Sequence, residues 1–216
     1  MTDSAHHAYE YRITTLLPGQ ENWRRFSDEV FGLGKAAIAD HGGRLVGLFR
    51  PQLGFSNNDA VTLTEWRREG VGWRQGHHLV DGAKTLIDTA HVEFMVPTIR
   101  PGPEPLTLAE GGIYVHRWFT VPETAVDEFV ALSAEAWKSF EERFEAQIFG
   151  LFEAEALPED DADEVRRLLL LTRYADHGEW EASRSVSAEP EAWSHFLRRG
   201  ELTLSSVARS SLLVPA

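Results

Sequence analysis

GRLVGLFRP at residues 43–51 and AQIFGLFEA at residues 146–154 are two versions of one apolar run, each placed after a long amphipathic segment. Aligning LVGLF (45–49) on IFGLF (148–152) also sets YRITTLLPG (11–19) opposite VHRWFTVPE (115–123) to within one residue. Further on, LTEW (63–66) falls against LTRY (171–174), the extra residues lying in the acidic stretch EAEALPEDDADE (153–164). Anchors that recur in one order mark an internal repeat of a single supersecondary unit. The halves are residues 5–101 and 110–216. Residues 102–109 join them, inside PGPEPLTLAEG (101–111), whose prolines and glycines suit an extended linker.

Both halves have the same element order. Residues 9–17 alternate and are rich in aromatic and β-branched side chains, which predicts a strand. Trp23, Phe26, Val30, Ala37 and Ile38 then form one helical stripe that ends at Gly42 and Gly43. Strands over 45–49 and 60–66 flank the turn-rich PQLGFSNND (51–59). A second helical stripe is predicted from Leu79, Ala83, Leu86, Ile87 and Ala90, followed by an extended HVEFMVPTI (91–99). The second half repeats this with a strand over 113–121 and a helix carrying Val126, Phe129, Ser133, Trp137, Phe140 and Phe144. Strands over 147–152 and 165–174, a helix over 191–199 and a strand over 207–214 complete it. The order β-α-β-β-α-β is ferredoxin-like. Such a unit covers one sheet face with helices, and a second copy can cover the other. The predicted fold is therefore α+β: two tandem ferredoxin-like units whose antiparallel sheets pack as a barrel, within the chain or with a second chain.

Composition narrows the partners. The 216 residues are 43% hydrophobic and 11% aromatic, ample for packed cores. A formal net charge of -13 argues against nucleic acid, because binding a phosphate backbone needs clustered Lys and Arg. The absence of cysteine removes disulfides, Cys-ligated zinc and thiol catalysis, and suits a reducing cytosol. MTDSAHHAYEY (1–11) shows no basic or apolar region of a secretory signal, and no apolar run reaches the ~18 residues of a spanning helix. The expectation is a cytoplasmic protein without a membrane partner.

The motif YEYRITTLLPG (9–19), with Tyr9, Arg12, Pro18 and Gly19, and the helix-to-strand junction HGGRLVGLF (41–49) resemble the dimeric α+β-barrel superfamily, and within it the NIPSNAP-like proteins. YVHRWFTVPE (114–123) keeps Tyr114 and Arg117, shortens the approach to Pro122 by one residue and lacks the glycine. The resemblance implies a dimeric α/β barrel and a homodimer. It implies no particular reaction, since related barrels include monooxygenases, lyases, haem enzymes and proteins without assigned activity. Seven tryptophans and twelve phenylalanines, more aromatic surface than two small cores readily hide, also argue for self-association.

The barrel lumen is the natural ligand site. On the first strand the apolar set Tyr11, Ile13 and Leu17 is assigned to the helices, leaving Glu10, Arg12, Thr14 and Leu16 for the lumen. On the matching strand Val115, Phe119 and Val121 are assigned to the helices, leaving Tyr114, His116, Trp118 and Thr120. The candidate catalytic residues are then His116 and Tyr114, with Glu10, Arg12 and Trp118 binding substrate: Arg12 anchors an acidic or carbonyl group and His116 moves a proton. The competing structural account pairs Glu10 with Arg12 and makes His116 a hydrogen-bonded core residue. His91 and Glu93 share a strand face but have no evident third ligand, so no metal is expected. His77 and His78 read as a solvated helix start. His195 resembles a haem ligand by its position on a late helix, yet it points away from the stripe of Trp193, Phe196 and Leu197. No cofactor is expected, for want of a Gly-rich phosphate loop, a thiol or a metal cluster. Two functions remain: a small-molecule enzyme or binder using the lumen, and a non-catalytic interaction protein whose lumen is filled by rings such as Trp118, Trp66 and Tyr174.

Overall fold

A computed structural model of the chain describes residues 7–67, 83–155, 164–185 and 190–215. The first half contributes β1 (His7–Leu16), α1 (Asn22–Glu29), α2 (Lys35–Asp40), β2 (Gly43–Leu53), β3 (Asp59–Arg67) and β4 (Ile87–Pro97). The second contributes β5 (Ile113–Pro122), α3 (Val126–Arg143), β6 (Ala146–Ala154), β7 (Val165–Tyr174), α4 (His177–Ala182), α5 (Pro190–Leu202) and β8 (Ser205–Leu213).

All strand pairs are antiparallel, and their order β1-β3-β2-β8-β5-β7-β6-β4 closes on itself through β4 and β1. Within each half the order is the ferredoxin-like one, β4-β1-β3-β2 and β8-β5-β7-β6. Two seams join the halves: β2 with β8, where Phe49 faces Leu213, and β4 with β6, where Met95 faces Ala154. The barrel therefore closes inside one chain. The repeated apolar run forms β2 and β6, and both strands shift register beside their shared glycine, between Leu45 and Gly47 and between Ile148 and Gly150.

Three cores result. Ala8, Leu16, Phe26, Val30 and Ile38 belong to the one under the first-half helices, and Val115, Phe119, Phe129, Trp137 and Phe140 to its counterpart in the second half. The third fills the lumen with Tyr9, Tyr11, Phe49, Tyr114, Phe149 and Phe152. The connecting segment shuts one end of that lumen. Leu106 is buried there, its carbonyl accepts from Arg44 Nη2 at 2.7 Å, and Leu108 packs beside it. The aromatic surplus behind the self-association argument is absorbed by this lumen core: among the described residues no Trp, Tyr or Phe is a strongly exposed side chain.

Three expectations need correction. On β1 the inward residues are Tyr9, Tyr11 and Ile13, while Glu10, Arg12 and Thr14 share the helix-facing side with Ala8 and Leu16. Alternation separates the two sets correctly; the more apolar set belongs to the lumen because the lumen is itself a dry aromatic core. The second helical stripe of the first half does not continue through Ile87 and Ala90, which lie in β4; there Met95 joins the lumen core and Phe94 and Val96 the outer one, the period-2 pattern of a strand. Leu79 and its neighbours to residue 82 lie outside the described residues, as do His77 and His78. The third is α4, an additional helix beyond the expected order. Asp176 supplies its N-cap, accepting from Glu179 N–H at 2.9 Å. The pairing of Asp176 with an acid three residues on is the sequence signal for it.

Candidate functional site

The lumen brings together only part of the expected set. Tyr114, His116 and Trp118 face inward from β5. Tyr114 O–H donates to the Ala109 carbonyl at 2.5 Å, and its ring lies against Phe49 and Phe149 with centroids 5.2 and 5.6 Å away. His116 is fully buried, its Nε2 2.6 Å from Ser211 Oγ, with Phe49, Tyr11 and Phe55 around the ring. Burial, and then the nearby Arg209, push its pKa down to about 3, so the imidazole is neutral near pH 7. Glu10 and Arg12 lie on the other side of the sheet and meet none of these. Arg12 Nε donates to Glu10 Oε1 at 2.8 Å, and Trp66 Nε1 donates to Glu10 Oε2 at 3.3 Å. The pair is the structural one. Trp66 and Tyr174 belong to the two outer cores, so the rings that fill the lumen are others.

His91 and Glu93 do share a face, with Nε2 to Oε1 at 2.7 Å. The other partner of Glu93 is Arg167, which donates to both carboxylate oxygens.

Outside the barrel lumen, a cavity of about 580 Å³ opens between the outer face of β5 and β7 and the helices α3, α4 and α5. Its walls are aromatic, including Trp137, Phe140, Trp180, Trp193 and Phe196. Among the described residues three arginines line it: Arg184, which donates to Glu181, and two that enter from opposite sides. Arg117 comes from β5, on an otherwise apolar face between Val115 and Phe119. Arg199 comes from α5, with 6% of its surface exposed and its guanidinium 4.6, 5.0 and 5.5 Å from the rings of Phe129, Phe119 and Phe196. Its Nε has no hydrogen-bond partner, and neither does Nε1 of the buried Trp137.

Among the described residues no carboxylate pairs with Arg117 or Arg199. Elsewhere the guanidinium groups of the buried Arg12 and of the part-exposed Arg44 and Arg167 each meet a buried glutamate. Burial, and then the charge of Arg117, push the Arg199 pKa down to about 9. Burial likewise lowers that of Arg117. A buried cation without an anion is costly. The sequence carries a signal for this pair: Ala192, Phe196 and Arg199 are spaced at i, i+4 and i+7 on one helix stripe, and Arg117 shares its strand face with apolar side chains.

No model of a known protein family matches the chain, and no curated protein matches it. The structure is similar to that of an anthrone oxidase-like protein, with TM-score 0.68 and 10% identity over 100% of this chain and 94% of that one. It is similar to a candidate monooxygenase from Lactobacillus acidophilus, with TM-score 0.60 and 13% identity over 96% and 94% of the two chains. A haem-binding protein from Thermus thermophilus aligns with TM-score 0.55 and 10% identity over 97% and 92%. NIPSNAP family proteins from Agrobacterium tumefaciens and Burkholderia xenovorans match 43% and 48% of this chain, at 18% and 17% identity and TM-scores of 0.34 and 0.36. The likeness establishes the fold, a dimeric α+β barrel with both of its units on one chain.

Haem needs an axial His, Cys, Met or tyrosinate. Among the described residues no His, Cys or Met lines the 580 Å³ cavity, and burial raises the pKa of its tyrosine, Tyr174, which keeps the phenol protonated. His195 lies near Glu135 of α3 instead. The residues of this cavity do not fit a haem. Among the described residues no helix is long and apolar enough to cross a membrane.

Proposed function

We propose that this protein binds a small organic acid with an aromatic or apolar body, in the cavity between the β5–β7 face and α3, α4 and α5. The supporting observation is Arg199: a cation held among three phenylalanines, with no carboxylate of its own among the described residues. A bound carboxylate would take the guanidinium fork, with Arg117 as second cation and Trp137 Nε1 as neutral donor, while the aromatic walls cover the rest. Among the described residues the lining holds no His, Asp, Glu, Lys or Cys, which supports binding rather than proton transfer, and the reading calls on no cofactor. The cavity lies within one chain and needs no second copy. The homodimer expected from the family resemblance is a separate proposal, answered by sedimentation at micromolar concentration.

The test is a thermal-shift comparison of 2-naphthoate with its neutral analogue 2-naphthylmethanol. The carboxylate should raise the melting temperature at concentrations where the alcohol does not. Equal shifts from the two would show that shape alone is read and would remove the arginines from the account.

A further inference from the structure

A second unbalanced charge lies at the end of the barrel opposite the linker. There β1, β4, β5, β7 and β8 surround an opening of about 230 Å³, walled by Tyr11, His91, Glu93, Trp118, Arg167 and Arg209 among others. The Glu93 carboxylate is fully engaged, by Arg167 through two nitrogens and by His91 Nε2. Arg209 is different. It lies over the Phe55 ring at 5.2 Å, its Nε is buried without a partner, and among the described residues no carboxylate pairs with it. Tyr11 is 1% exposed, and its hydroxyl has no hydrogen-bond partner. The indole of Trp118 is the polar group that approaches that oxygen, and an N–H cannot accept, so the phenol O–H is a free donor.

We propose that this mouth binds a small carboxylate, one oxygen taken by the Arg209 guanidinium and the other by the Tyr11 hydroxyl. The groups left over are donors only, which selects an acceptor. Arg209 is a cation with no carboxylate among the described residues, and a monoanion would balance it. The volume lies below the ~300 Å³ lower end of pockets for drug-sized ligands, so the guest is a short-chain acid. Ile13 and the Trp118 face would cover its methyl or ethyl group. This site is separate from the cavity of Arg117 and Arg199, which opens on the other side of the sheet.

Acetate and propionate are the probes, followed through the Trp118 indole N–H signal in a ¹H–¹⁵N titration of the intact chain. The wild-type protein should show a saturable shift of that signal, unchanged in Arg199→Gln. Arg209→Gln and Tyr11→Phe should each weaken the fitted affinity about tenfold or more, the size expected for a hydrogen bond to a charged group. Tyr11→Phe keeps the ring, so its spectrum also reports whether the fold is retained. Sodium sulfate and sodium chloride at equal ionic strength are the second arm. If either displaces acetate as well as propionate does, or if both variants bind acetate as the wild type does, the proposal is overturned.

Discussion

Leu108 of the connecting segment occupies the space a side chain on Gly47 would need: a Cβ there would lie 2.9 Å from Leu108 Cδ1. The equivalent glycine of the second copy, Gly150, meets the same segment at its other end, where a Cβ would lie 3.0 Å from Pro101 Cδ and 2.4 Å from the Phe152 ring. The glycine common to the two apolar runs is thus where the linker crosses the closed end of the barrel.

Gly150→Ala should cost about 2–3 kcal/mol and Gly47→Ala about 1 kcal/mol, read from chemical denaturation. The order follows from the obstacle: a ring and a proline at Gly150, against the ends of Leu108 and Leu213 at Gly47. Equal and negligible costs would mean that the linker does not seal this end.

His116 gives a pH signature. Its folded pKa, about 3, lies below the ordinary value of 6.5, so the unfolded chain binds the proton more readily. The stability it contributes is complete above about pH 6.5 and is lost as pH falls toward 3, at up to about 1.4 kcal/mol per pH unit. His116→Gln should flatten that acid limb of the stability curve. An unchanged limb would place the titration elsewhere.

Glu10 and Arg12 form a buried pair, 2.8 Å apart, on the helix side of β1. Glu10→Gln removes the carboxylate charge that Arg12 Nε meets and should cost about 3 kcal/mol, with the affinity for 2-naphthoate unchanged. Lost binding at full stability would restore these residues to a ligand site.

The fold is legible in the sequence because a repeat is visible without knowing any contact: the apolar runs, the matching strands and the linker prolines all align. The parity of β5 is legible for the same reason as that of β1, by alternation. Of these two strands β1 takes the opposite face from the expected one, because alternation separates two sets without saying which layer is drier. A buried Glu–Arg pair on the helix side and three tyrosines inside the lumen reverse the usual expectation. The candidate site is less legible. Arg117 and Arg199 are 82 positions apart in sequence, and each alone reads as a polar interruption of an apolar stripe. Their meaning comes from tertiary packing, which brings both to one cavity and, among the described residues, gives neither a carboxylate.

Isothermal titration of 2-naphthoate into the wild-type protein and Arg199→Met, with denaturation of both ligand-free proteins, tests the central claim most directly. Removing an unpaired buried charge should raise ligand-free stability by about 1 kcal/mol, while affinity for the carboxylate falls at least about tenfold. A variant that binds 2-naphthoate as tightly as the wild type, or one that loses stability without losing affinity, would contradict the account.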